Sequence, residues 1–295
     1  MSIYPGVTEG TVNVDGFTVR FCDGGQVDSS AAPIVMVHGT GGRAETHFFT
    51  LFPMLASRHR VIGLDLSDEP GGRGSSRQLS VEALGAQVTG AIRHLVSDGK
   101  VNLIGYSLGA AVAVEATLQL KQQVSNLVLL NGWAKTDNAL KLRLSLWKRL
   151  RDSEDRAALA EFMISSVYGR AFLNARGWKD IEQLRSDYVV GPGSDKQMAL
   201  NLNLDIVDRL GLVKARTLVV GSTYDQLIPL EYSLELAGGI DNALLAEVKS
   251  GHGSVTERPA ELFRIIDRFV RLNATSDSFP VFTDPSLKQL AGFQL

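Results

Sequence analysis

Residues 105–109 read Gly-Tyr-Ser-Leu-Gly; they follow the mostly apolar run Val101–Ile104 and open an alanine-rich stretch. A serine between two glycines, where a strand becomes a helix, has a chemical use. The turn lifts the hydroxyl above the end of a sheet, and holding it there needs a tight, strained backbone with no bulk two residues to either side. The helix that begins beneath it offers unpaired N–H groups and the positive end of its dipole, and both favour negative charge nearby. The Leu108 N–H is placed to meet such a charge. Ser107 is therefore a candidate nucleophile, but a serine hydroxyl is weak by itself. It needs a base to take its proton, and the base needs a group to orient it. The chain has five histidines: His38, His47, His59, His94 and His252. His94 falls within a helical pattern and His59 just before an apolar run, where histidines are commonly surface or structural groups. His252 lies past the last apolar run, where a loop can reach over a sheet.

The elements that must position these groups can be read from hydrophobic patterning. Short continuous apolar runs at 33–39, 60–66, 101–107, 124–132, 215–222 and, more weakly, 243–251 suit strands buried on both faces of a parallel sheet. Asp15-Gly16, between two alternating stretches, signals a hairpin. Residues 80–97 carry apolar groups three and four apart behind a capping Ser80. Residues 108–121 are helical by composition, and 259–272 form an amphipathic pattern with Pro259 in its first turn. Strand and helix alternate as in a doubly wound α/β sheet. Between Asn131 and Arg216 the alternation stops, and the patterns there are helical. The reading is a core of residues 1–132 and 214–272, a helical cap inserted at 133–213 and a tail at 273–295. A Gly/Pro turn at 188–195 interrupts the insertion.

Composition sets limits. The 295 residues are 44% hydrophobic and 21% charged, with a formal net charge of −2. That balance gives no support to nucleic-acid binding. Cys22 is the single cysteine, so no internal disulfide or cysteine-based zinc site is available. The first residues lack the pattern of a signal peptide, and no apolar stretch approaches the roughly 18 residues of a membrane span. The expectation is a cytoplasmic monomer or homodimer acting on a small molecule, with no membrane or nucleic-acid partner and neither metal nor cofactor.

In sequence order, the segments His38-Gly39-Thr40-Gly41-Gly42, 63–76, Gly105–Gly109, 218–229 and 250–262 resemble the α/β-hydrolase superfamily. The likeness extends over nearly the whole chain to about residue 272. It implies an α/β-hydrolase fold: a mostly parallel central sheet flanked by helices, with a helical cap. It also implies a nucleophile elbow at Ser107, an acid on the 218–229 loop and the histidine on the 250–262 loop, in the order Ser, acid, His. Ser107 is then the nucleophile, His252 the general base and Asp225 the orienter. Asn131 and Asp137, past the preceding strand, are the rival positions for the acid; an amide cannot stabilise an imidazolium as a carboxylate does. By the same resemblance the oxyanion hole pairs the Leu108 N–H with that of Thr40, Gly41 being the alternative donor. Gly41, Tyr106 and Trp133 are expected at the substrate, although Trp133 suits a core position equally. His38 is read as bracing its loop, and Asp65 as structural.

Serine at the elbow separates the chain from members of the superfamily with an aspartate nucleophile. The remaining expectation is acyl transfer to water through an acyl-enzyme, on an ester, lactone or thioester. A carbon–carbon hydrolase, another cofactor-free enzyme of the fold (a lyase or perhydrolase) and a non-catalytic receptor are the alternatives. Apolar residues of the insertion, among them Leu142, Trp147, Met163, Tyr168, Phe172 and Trp178, either face a medium-sized apolar substrate or hold the cap together.

Overall fold

A computed structural model describes residues 6–26, 31–68, 79–188, 194–241 and 243–271. The tail at 273–295, the glycine-rich stretch at 69–76 and most of the Gly/Pro turn at 188–195 lie outside the described residues. The chain opens with the hairpin β1 (Thr8–Val14) and β2 (Phe17–Gly25), turning at Asp15 and Gly16, both at positive φ. Then come β3 (Ile34–Val37), the short helices α1 (Ala44–His47) and α2 (Leu51–Ala56), and β4 (Arg60–Asp65). Helix α3 (Val81–Val96) begins at Ser80, whose side chain accepts the Ala83 N–H. After β5 (Val101–Tyr106), α4 (Leu108–Leu120) and β6 (Val124–Leu130), the chain enters the all-helical segment. This holds α5 (Asn138–Asp152), α6 (Arg156–Val167), α7 (Arg170–Asn174), α8 (Trp178–Ser186), α9 (Ser194–Asn201) and α10 (Val207–Leu210). It returns through β7 (Arg216–Ser222), α11 (Leu230–Gly239), β8 (Leu244–Val248), α12 (Ser254–Glu257) and α13 (Pro259–Arg271).

The strands form one sheet in the order β1-β2-β4-β3-β5-β6-β7-β8, parallel from β4 to β8 with the hairpin antiparallel at one edge. The central strands are apolar on both faces because both faces are covered. Val35, Val37, Leu103, Leu127 and Leu129 face a core shared with α3 and α4. Their neighbours Ile34, Met36, Ile104, Val128 and Leu130 face a second core with α2 and α13. The period of two thus persists beneath the continuous apolar run. Helix α13 shows one stripe only: Leu262, Ile266 and Phe269 are fully buried.

The position of the site follows from topology. Strands β4 and β5 lie on opposite sides of β3, so the connections leaving β3 and β5 diverge. A crevice opens at such a switch point, at the carboxyl ends of the strands. The loop 38–43 and Ser107 stand on either side of it. The helical segment is pinned at its base, where Ile206 N–H donates to Ala134 O and Thr136 N–H to Leu204 O. Its Leu140, Leu144 and Leu159 join the same core as α4. Among the described residues, no helix is long and apolar enough to cross a membrane.

Candidate active site

Ser107 joins β5 to α4 with φ 57° and ψ −123°, a left-handed conformation that a side chain rarely adopts. The glycines around it are required by contact. A Cβ on Gly105 would lie 2.1 Å from the Gly109 carbonyl oxygen, and one on Gly109 would lie 2.3 Å from the Val37 oxygen. The elbow is therefore packed backbone against backbone. Leu108, the first residue of α4, has no partner for its N–H one turn earlier in the helix.

Three side chains brought from β5, β7 and β8 form one hydrogen-bonded chain. Ser107 Oγ lies 3.0 Å from His252 Nε2, and His252 Nδ1 lies 2.7 Å from Asp225 Oδ2. All three are buried. The Asp225 carboxylate is fully engaged: Oδ1 accepts the N–H groups of Leu227 and Ile228, and Oδ2 accepts from Asn131 Nδ2 at 3.0 Å as well as from His252. Four donors on one carboxylate hold it in a fixed orientation toward the imidazole. A carboxylate bonded to Nδ1 puts the imidazole proton there and leaves Nε2 free to accept from the serine hydroxyl. The arrangement can remove a proton from Ser107 and return it to a leaving group.

The rival acid positions have other employment. Asn131, at φ 49°, is a second partner of Asp225 and accepts from Ser254 Oγ at 2.9 Å. Asp137 caps α5 through the Leu140 N–H and accepts from Tyr232 Oη at 2.7 Å.

A cavity of about 510 Å³ opens over the serine. Thr40, Gly41, His47, Tyr106 and His252 line it from the sheet side, and Trp147, Arg151, Met163, Tyr168 and Tyr188 from the helical segment. Gly41 lines the cavity at φ 68°, but its N–H is taken by Gln197 Oε1 at 2.9 Å. That N–H is thus already engaged and is a poor donor to a ligand in the cavity. Tyr106 also borders the cavity, yet its hydroxyl donates to the His252 carbonyl oxygen at 3.0 Å, so the ring braces the histidine loop. Burial pushes that phenol well above its ordinary range.

Trp133 departs from the expectation of a substrate contact. It is 1% exposed, lies in the main hydrophobic core and donates its indole N–H to Thr136 Oγ1 at 2.9 Å. With its one polar atom satisfied and its ring enclosed, it is a core residue and does not line the cavity. The apolar residues of the helical segment divide in the same way. Trp147, Met163 and Tyr168 face the cavity, Leu140 and Leu144 are core, and Leu142 and Trp178 are exposed.

Two histidines near the site, His38 after β3 and His47 at the end of α1, carry structural bonds. His38 Nε2 accepts the Leu66 N–H at 3.0 Å while Nδ1 faces the Gly39 oxygen at 2.7 Å, which fixes a neutral ring with its proton on Nδ1. Burial lowers its pKa in keeping with that. His47 accepts the Gly39 N–H on Nδ1 at 3.1 Å. Desolvation, with the nearby His38 and His252, pushes its pKa down to about 3, which favours the neutral ring. Asp65 is structural, capping α1 by accepting the Ala44 N–H. Nothing in the sequence pattern marks His47 as a cavity residue.

The histidine loop is fastened to the helical segment. Gly253 N–H donates to Val167 O at 2.8 Å, and Glu257 Oε1 accepts both the Gly169 and Gly251 N–H groups. A Cβ on Gly251 would fall 2.5 Å from both Gly169 N and Val167 O. Among the described residues, no group of three His, Cys, Asp or Glu side chains could hold a metal ion.

Residues 32–259 match the family model for the alpha/beta hydrolase fold, and the chain belongs to that family. It is 27% identical over 263 residues to pyrrolizixenacetamide deacetylase of Xenorhabdus hominickii, covering 88% of this chain and 97% of the deacetylase. It is 23% identical over 274 residues to 2-hydroxy-6-oxo-6-phenylhexa-2,4-dienoate hydrolase of Comamonas testosteroni, covering 88% of this chain and 93% of that protein. Among solved structures it resembles MGS-M2, an alpha/beta hydrolase enzyme from a Medee basin deep-sea metagenome library. The TM-score is 0.79 at 18% identity, over 92% of this chain and all of that one.

Proposed function

Starting from its membership of the alpha/beta hydrolase family, we propose that this chain is a cytoplasmic serine hydrolase that transfers an acyl group from an ester, lactone or thioester to water. The observation that carries this reading is the continuous line from Ser107 Oγ through the His252 ring to Asp225 Oδ2, with steps of 3.0 and 2.7 Å. In the mechanism, His252 Nε2 takes the Ser107 proton as Oγ attacks the substrate carbonyl carbon. The carbonyl oxygen becomes an oxyanion held by the N–H groups of Thr40 and Leu108, which are fixed before the reaction begins. Asp225 holds the Nδ1 proton and stabilises the imidazolium. The carbon–oxygen or carbon–sulfur bond to the leaving group then breaks, and His252 delivers its proton to that group. Water attacks the resulting acyl-enzyme with His252 again acting as base, which releases the acid and restores Ser107.

A cavity of about 510 Å³ suits a small to medium substrate. Its mixed wall of Trp147, Met163 and Leu159 beside Arg151 and Thr46 fits a partly apolar molecule with a polar end. Likeness to the Xenorhabdus deacetylase supports removal of a small acyl group. Likeness to the Comamonas dienoate hydrolase favours a second reading, carbon–carbon bond hydrolysis at the same serine.

The test is labelling with a fluorophosphonate probe together with turnover of p-nitrophenyl acetate, butyrate and octanoate. Wild type labels and turns over at least one ester, and Ser107→Ala does neither. A wild type inert to both overturns the reading. Turnover confined to vinylogous diketones, with the esters untouched, favours carbon–carbon hydrolysis.

A further inference from the structure

We propose that Gln197 and Asn201, one turn apart on α9, are positioning residues for the oxyanion hole. They hold the loop after β3 so that the Thr40 N–H meets the charge that develops above Ser107. This rests on the serine-hydrolase reading and assigns a duty to a helix outside the catalytic sheet.

The bonds are specific. Gln197 Oε1 accepts the Gly41 N–H at 2.9 Å, and its Nε2 donates to Asp68 Oδ1. The two partners fix the amide orientation, because a backbone N–H can only donate and a carboxylate can only accept. Asn201 Nδ2 donates to Thr40 Oγ1 at 2.8 Å. Both residues are buried, at 3% and 1% exposure; Gln197 uses both ends of its amide, whereas Asn201 is engaged through Nδ2 alone and its Oδ1 has no partner among the described residues. The Asn201 main chain is buttressed in turn: its backbone oxygen accepts from Thr136 Oγ1 at 2.6 Å, and Thr136 Oγ1 accepts the Trp133 indole N–H. On the other side, His47 Nδ1 takes the Gly39 N–H. The loop amides on either side of Thr40 are thus committed, and the two clamps leave that of Thr40. The loop also has no room to shift toward the nucleophile, since a Cβ on Gly39 would lie 2.8 Å from Ser107 Cβ.

A donor aimed at the transition state must be held to a fraction of an ångström, and a misplacement of about 1 Å costs on the order of 100-fold. Gln197→Met and Asn201→Leu keep the side-chain volume and remove the bonds. The inference predicts that kcat for a p-nitrophenyl ester falls about 10- to 100-fold in each with KM little changed, the mark of an interaction made in the transition state. The inhibition constant of phenylboronic acid, whose tetrahedral adduct places an oxygen at the oxyanion position, rises by the same factor. Asn201→Asp recovers most of the activity, because the Thr40 hydroxyl can donate to the new carboxylate. Thr40→Val combined with Asn201→Leu costs no more than Asn201→Leu alone.

A merely structural role predicts something else: a smaller fraction of molecules titrated by the fluorophosphonate, with unchanged kcat and boronate affinity per titrated site. That result overturns the inference, as does wild-type kcat in both variants. Amide hydrogen exchange at Gly41 reads the clamp without catalysis, and an unchanged rate in Gln197→Met also overturns it. A wild type inert to every acyl substrate removes this inference together with the function it rests on. An active wild type with unaffected variants removes this inference alone.

Discussion

Replacing Gly109 by alanine tests whether backbone packing at the elbow controls the chemistry above it. A Cβ at this position would sit 2.3 Å from the Val37 oxygen and 2.6 Å from the His38 oxygen. Both obstacles are backbone, one in a central strand and one in the loop after it, so no side chain can rotate aside. Relieving 2.3 Å to the 3.0 Å below which Cβ contacts are essentially never seen moves the start of α4 by about 0.7 Å relative to β3. That motion carries the Leu108 N–H and Ser107 away from the Thr40 loop. A displacement of about 1 Å in a catalytic group costs on the order of 100-fold, so kcat/KM for a p-nitrophenyl ester is expected to fall about 10- to 100-fold. Overpacking costs about 1–3 kcal/mol, and the better helix propensity of alanine offsets up to about 1 of it. The melting temperature then drops by a few degrees at most, so the variant folds and the loss is catalytic. Gly211→Ala is the matched control: nothing lies within 4 Å of its added Cβ, and activity is expected to stay at the wild-type level. Kinetics with active-site titration decide the matter. Wild-type kcat/KM in Gly109→Ala refutes the reasoning, because the serine and its amide would then not depend on this contact.

Asp225→Asn lowers kcat about 10³- to 10⁴-fold, because an amide donating to His252 Nδ1 selects the wrong tautomer; a loss of under tenfold would show that this carboxylate is dispensable. Burial raises the Glu257 carboxyl above its ordinary value of 4.5, so its share of stability is fully present below pH 4.5 and is lost as pH rises through the raised value. Glu257→Gln keeps an acceptor for the Gly169 and Gly251 N–H groups without titrating. Its melting temperature relative to wild type therefore climbs with pH across that window, and a flat difference in thermal melts is the contrary result. Cys22 is buried with its thiol pushed up to about 12, so iodoacetamide at pH 8 leaves the native protein unmodified and alkylates it once unfolded. Rapid stoichiometric alkylation of native protein would contradict this.

The sheet was legible because its strands are buried on both faces. That forces continuous apolar runs at Ile34–Val37 and Leu127–Leu130 and leaves turn residues at their ends. The elbow was legible for a different reason: Gly105 and Gly109 flank Ser107 at a fixed short spacing, although the contact that requires Gly109, with the Val37 and His38 oxygens, is distant in the chain. The helical segment declared its helices but not their faces. Periodicity cannot say that Trp147 turns to the cavity and Trp178 to solvent, because that depends on what each helix lies against. Trp133 was ambiguous for the same cause, and only the Thr136 hydroxyl beneath its indole resolves it. The partners of the β3 loop were hidden by distance along the chain. Gln197 and Asn201 stand 156 and 161 residues from Gly41 and Thr40, and uncharged amides on a polar helix carry no signal of a loop to be held. The amide of Asn131 excludes it as the acid on chemistry alone, whereas its service to Asp225 needs the fold to bring them together.

The seam between Gly251 and Gly169 bears on any attempt to recombine this protein with its relatives. A side chain at 251 would meet the backbone at 2.5 Å and cannot be accommodated, whereas a Cβ at 169 meets Gly251 N at 3.0 Å and needs a shift of a few tenths of an ångström, so the histidine loop is the stricter side of the seam. A chimera that imports a foreign helical segment, to alter which molecules are admitted, has its crossover points dictated. Residues 167–169 and 251–253 must travel as a pair, or the imported piece will push against the loop that holds His252.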